Sequence, residues 1–118
     1  MAIPSGSGTE VLKNSIIQHG GTGESAIITG VADHIYTVIS IIAYNDATSA
    51  KDLIFQIDKQ NAGTDYRLMS GAPSSVAAYS TFVWGDRFVM TGTDRLVVTS
   101  ASGSDFEIIC SYIDQDWT

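Results

Sequence analysis

The sequence predicts an all-β domain, a two-sheet antiparallel β-sandwich of jelly-roll-like or Greek-key type. Short runs rich in β-branched and aromatic residues recur from Thr9 to Tyr112. Turn chemistry separates them at roughly the 8–12-residue spacing of sandwiches and barrels. No stretch holds a convincing helical period, and no segment repeats. With 118 residues, the chain is one domain by length. It is long enough to bury roughly two-thirds of its unfolded surface without a metal or disulfide.

Residues 1–8 form an uncharged arm containing Ile3 and Pro4. Such an arm is loose by itself and orders against a neighbour in an assembly. Thr9–His19 reads as a strand. Leu12 and Ile16 stand one helical turn apart, but no capping box precedes them. Asn14 and Ser15 are poor mid-helix residues, and Thr9, Val11 and Lys13 alternate. Gly20-Gly21-Thr22-Gly23 breaks the chain, Ser25–Thr29 is a short strand, and residues 30–34 turn.

Ile35–Asn45 is the clearest strand. Strict alternation puts Ile35, Thr37, Ile39, Ile41 and Ala43 on one face and Tyr36, Val38, Ser40, Ile42 and Tyr44 on the other. Both faces are largely apolar, which predicts a central strand covered on both sides. Residues 45–49 are turn chemistry. Leu53, Phe55 and Ile57 mark the inner face of the next strand. Further strands are expected at Tyr66–Ser70, Tyr79–Trp84 and Arg87–Met90. Leu96–Ser100 and Phe106–Tyr112 read as a hairpin across residues 101–104. The domain is expected to span residues 9–113, followed by an acidic, aromatic tail at 114–118.

Composition excludes several functions. The net charge is −7, and charged residues make up 16%. The six cations (Lys13, Lys51, Lys59, Arg67, Arg87, Arg95) are scattered singly. Nucleic-acid binding needs a basic stripe to displace counterions, so no DNA or RNA partner is expected. So few charges leave little repulsion against packing into an assembly. Cys110 is the sole cysteine, so no intramolecular disulfide can form, consistent with a reducing compartment. The N-terminus lacks the basic and apolar regions of a signal peptide. The apolar runs are too short to span a bilayer as helices, and no membrane partner is expected.

Candidate chemistry is sparse. His19, His34 and Cys110 lie far apart in sequence and do not make a zinc spacing. Cys110 lies mid-strand among apolar residues, which raises a thiol pKa and opposes a nucleophilic role. Gly20–Gly23 lacks the Lys-Ser/Thr of a phosphate loop. Asp114 and Asp116 share a face and read as a solvated acidic end, with a calcium or acid/base pair as the sharper alternatives. Trp84 with Tyr79 and Tyr44 could form a sugar-stacking platform only if several rings were exposed. Tyr112, Ile113 and Trp117 make an aromatic C-terminus. It either anchors in a neighbour's pocket or folds back onto the sandwich. No catalytic residue, metal ligand or cofactor site is expected.

The segments Val31–Asn45, Phe88–Ser100 and Phe106–Asp114 together resemble small β-sandwich virion proteins of tailed bacteriophages. The matching features are a loop leading into a central strand ending in Asn, a strand–turn–strand unit, and a closing strand. The chain departs from the pattern at Ala32, often Pro there, and at Thr93. The resemblance implies a structural module of the head decoration (cement) type. Its partner would be the major capsid protein, its place the head surface, and its source the host cytoplasm during assembly. Ile3, Pro4, Tyr112, Ile113 and Trp117 would be its interface residues. A tail, adaptor or fibre-base protein and a carbohydrate-binding module are the alternatives. Strand edges with few guarding lysines and little proline predict a homo-oligomer, a trimer being favoured.

Overall fold

A computed structural model describes residues 8–68, 75–100 and 103–117. Ten strands make two packed sheets: β1 (Thr9–Gly20), β2 (Ser25–Thr29), β3 (His34–Asn45), β4 (Lys51–Lys59), β5 (Thr64–Arg67), β6 (Ser75–Val76), β7 (Thr81–Trp84), β8 (Phe88–Thr91), β9 (Arg95–Ser100) and β10 (Asp105–Asp116). The first sheet runs β1-β10-β3, with β7 and β8 sharing the far edge of β3. The second runs β2-β9-β4-β5, with β6 also on β4. Every pairing is antiparallel. If β5/β6 and β7/β8 each count as one position, eight positions form two four-stranded sheets in jelly-roll order. The expected two-sheet antiparallel sandwich is therefore present.

Several elements differ from the sequence reading. Leu96–Ser100 and Phe106–Tyr112 are not a hairpin. β9 pairs with β2 and β4, whereas β10 pairs with β1 and β3. The short connection between them crosses from one sheet to the other. The fifth strand is Thr64–Arg67 rather than Tyr66–Ser70, and residues 69–70 lie outside the described residues. The seventh starts at Thr81, because Tyr79 has a φ of 53° and belongs to a turn.

The core is a layer between the sheets. Phe55, Phe106, Ile41, Leu53, Met90, Leu96 and Ile108 are fully buried there. Phe82, Trp84, Phe88 and Tyr112 pack against them. Strand β3 contributes through a change of phase. Its register with β10 steps from Val38 opposite Tyr112 to Ser40 opposite Ser111, leaving Ile39 as an extra residue. This bulge places Tyr36, Val38, Ile41 and Ala43 together on the inner face. The expected face assignment fails beyond Ile39 for that reason.

Two buried polar residues fix the ends of this core. The Asn45 amide nitrogen donates to the carbonyls of Ser49, Val76 and Ala77, and its oxygen accepts the Ala47 N–H. It ties the β3–β4 loop to the chain entering β7. His19 is also buried, with Nδ1 2.7 Å from Ser25 Oγ. Nε2 has no hydrogen-bond partner among the described residues. Burial lowers its pKa from 6.5. The unfolded chain then takes up a proton at a pH where the folded chain does not. Folding stability is therefore lost as pH falls below 6.5. We expect thermal melts of the wild type to lose Tm faster than His19→Gln below that pH. Parallel pH profiles would reject this role.

Candidate interaction face

The first sheet has an outward face that nothing in the described chain covers. Its composition follows from register. In one row Ile16 lies opposite Ile109, Ile109 opposite Ile42, and Ile42 opposite Val83. In a second row Leu12 lies opposite Ile113, Ile113 opposite Thr37, and Thr37 opposite Val89. Leu12 is 71% exposed, Ile16 68%, Val83 60% and Val89 56%. These values identify the rows as surface, whereas the inward side chains of β3 and β10, such as Val38, Ile41, Phe106 and Ile108, are buried. Between the rows, an open depression is lined by Leu12, Lys13, Asn14, Ile39 and Ser111. The bulge at Ile39 puts an apolar side chain in a row otherwise held by Asn14, Ser111 and Ser40.

Polar rows flank this face. Glu10, Gln115, Ile35 and Thr91 form one, and Gln18, Glu107, Tyr44 and Thr81 the other. A sheet of four strand positions, each strand about 4.8 Å from the next and up to about 40 Å long, presents roughly 700 Å². A standard interface takes about 800 Å² from each partner. Two rows of exposed apolar side chains on an uncovered sheet face, rimmed by polar residues, mark a contact site.

The second sheet differs on its outer side. There the Arg95 guanidinium donates to Asp58 (2.6 Å) and Glu24 (2.7 Å). Hydrogen bonding from Arg95 holds the Asp58 carboxyl below its usual range, and the pair raises Arg95 in turn. The two outer faces thus divide into one apolar and one ionic.

The expected site residues fall in different places. Ile113 lies in the second apolar row. Tyr112 points inward, its ring centroid 6.1 Å from that of Tyr36. Trp117 folds back on its own chain. Its N–H donates to the Asp33 carbonyl (3.0 Å), and its ring packs over Gly8. Its indole nitrogen is buried without a partner among the described residues. Ile3 and Pro4 lie outside the described residues. The segment from Asp114 to Asp116 is not tail but the last stretch of β10.

Of the two carboxylates only Asp116 remains solvent-facing, its side chain 44% exposed. Asp114 is buried, accepts from Lys13 Nζ (2.8 Å), and lies 2.7 Å from His34 Nδ1. Burial pushes the Asp114 carboxyl up, but the hydrogen bonds from Lys13 and His34 outweigh it and leave it below the usual range. Asp116 stands 3.5 Å from His34 Nε2.

The other candidates do not converge. Trp84 and Phe82 point into the sandwich, while Tyr44, opposite Thr81, points out. Trp84 and Tyr44 therefore cannot share a stacking platform. The Cys110 thiol is buried, and burial pushes its pKa up to about 12. Among the described residues no group of three or more His, Cys, Asp or Glu is placed to hold a metal ion.

The sequence reading missed Leu12, Ile16, Ile42, Val83, Val89 and Ile109. The available signal was the apolar character of both faces of residues 35–45, which predicted cover on both sides.

No family model and no curated protein matches the chain. Solved structures do. A structure of Bacillus endospore appendages, described as a novel family of disulfide-linked pili, aligns over 100% of this chain and 97% of its own. Identity is 15% and the TM-score 0.57. A chain of the T13 infectious bursal disease virus particle aligns over 91% of this one at 7% identity and TM-score 0.59. A chain of the Gx strain of that virus aligns over 98% at 9% identity and TM-score 0.55. The present chain spans 31% and 35% of those two viral chains. At these identities the likeness is one of fold.

Proposed function

We propose that this chain is a structural subunit that docks onto a protein assembly through the apolar outer face of β1-β10-β3-β7/β8. In the form favoured here it is a virion decoration (cement) protein. It sits on the outer surface of a virus head and clamps the major capsid protein. The observation that carries this reading is the pair of exposed apolar rows on a domain of net charge −7. Docking by that face turns the ionic sheet outward. Such an acidic clamp has no affinity for packaged DNA. The fold shared with a viral particle chain and the resemblance to phage virion proteins support the same reading. The chain needs no catalytic group for this role. With Cys110 buried, this reading involves no disulfide to the partner.

The test is co-sedimentation with particles from the producing cells. The double variant Val83→Lys with Val89→Lys places two charges on the face without touching the core. Binding is expected to fall at least about tenfold, since each desolvated lysine opposes burial. Tyr66→Lys, exposed on the second sheet, should leave binding unchanged. Equal loss from both variants, or from neither, would reject the face.

A second reading, a subunit that polymerises with itself into a fibre, is favoured by the full-length correspondence to the endospore appendage chain. Electron microscopy of the purified chain alone separates the two. Filaments support the fibre subunit, and discrete particles support the decoration protein.

A further inference from the structure

We propose that two copies of this chain pair edge to edge along β1, antiparallel about a two-fold axis at Asn14. Among the described residues β1 is a terminal strand of the first sheet, paired only with β10. Its far edge makes no backbone hydrogen bond among the described residues. At twelve residues it is also long. Such an edge is a template for another strand unless it is guarded.

The other edges are guarded and this one is not. β7 and β8 are four residues each, interrupted by Gly85-Asp86-Arg87. β2 has five residues and a register shift. β5 has four, with Asp65 and Arg67 among them. On β1 the one lysine that could guard the edge, Lys13, is drawn inward onto Asp114.

The occupant is a second copy because β1 is complementary to its own reverse. Reading outward from Asn14, Lys13 meets the partner's Ser15, Leu12 meets the partner's Ile16, Val11 meets the partner's Ile17, and Glu10 meets the partner's Gln18. Apolar residues face apolar residues on both sides of the strand. The carboxylate of Glu10 faces a neutral amide. The pairing therefore opposes no like charges although each chain carries −7. Because the register is centred on a residue, the same pairs form twice, as a two-fold interface requires.

The pairing also extends the apolar face. The row Val83–Ile42–Ile109–Ile16 runs on into the partner's Leu12, Ile113, Thr37 and Val89. This inference stands independently of what that face docks to.

The experiment is light scattering of the free full-length chain, combined with disulfide trapping. The scattering mass is expected to be twice that of the 12.6 kDa chain. Asn14 is exposed, and opposed Cα atoms in an antiparallel pair lie about 4.5–5.5 Å apart, within disulfide reach. Asn14→Cys should trap a covalent dimer under mild oxidation. Gln18→Cys alone should not, because eight positions of register, about 26 Å, separate the two thiols. A mixture of Glu10→Cys and Gln18→Cys should cross-link. Buried Cys110 does not compete. About tenfold more dimer from Asn14→Cys than from Gln18→Cys supports the pairing. A monomeric or trimeric mass, or equal trapping of the two variants, overturns it. Val83 and Val89 lie at the opposite edge of the sheet, so failure here and failure of the docking reading are told apart.

Discussion

Asn45→Ala is expected to destabilise the domain by about 3 kcal/mol, read as the shift in ΔG from chemical denaturation. The side chain is fully buried and hydrogen-bonds backbone groups of both the β3–β4 loop and the β6–β7 connection. Alanine leaves the Val76 carbonyl and the Ala47 N–H without these partners, whereas the Ala77 carbonyl keeps the Ser80 N–H. Each such orphan costs about 1–3 kcal/mol. Asn45→Asp should cost at least as much, because a carboxylate would face carbonyl oxygens where an amide now donates. Because both loops flank β7, the Val83 end of the apolar face should lose hydrogen-exchange protection first. A loss under about 1 kcal/mol would show that these loops are held by other contacts.

Gly30→Ala should be about as damaging, near 3 kcal/mol, and for a different reason. Gly30 donates its N–H to the Asp94 carbonyl at 2.9 Å, docking the turn before β3 against the turn before β9. A Cβ at Gly30 would run into the carbonyl oxygens of Gly92 and Asp94. Both obstacles are backbone, so neither can swing aside. Gly23→Ala, where a Cβ meets nothing within 4 Å, is the control and should be within about 0.5 kcal/mol of wild type. Equal stability of the two variants would mean that the β2–β3 turn rearranges freely.

The sandwich was legible because strands announce themselves locally. Alternation and β-branched content placed Ser25–Thr29, Ile35–Asn45 and Leu96–Ser100 within a residue or two of their bounds. Partnership was not legible. Residues 101–104 suit a hairpin turn, yet β9 and β10 lie in opposite sheets, and only long-range packing sets that choice. The apolar face was hidden by one residue. Strict period-2 reading puts Ile41 with Ile39, and the bulge reverses every side chain beyond it, moving Ile41 inward and Ile42 outward. Trp117 was ambiguous because nothing near it in sequence shows the space above Gly8. The complementarity of residues 10–18 is plain in the letters, but it has meaning only once β1 is known to be an edge.

In β1 and β10, Thr9 lies opposite Asp116 and Gly20 opposite Asp105. The chain therefore enters and leaves the domain at one corner. A domain with adjacent entry and exit can be spliced into a surface loop of a host protein without stretching that loop. Cargo fused before residue 9 or after residue 116 would hang from that same corner, leaving the tip around Gly21 and Ser104 bare. The domain is in this sense a plug-in display scaffold whose two attachment points count as one.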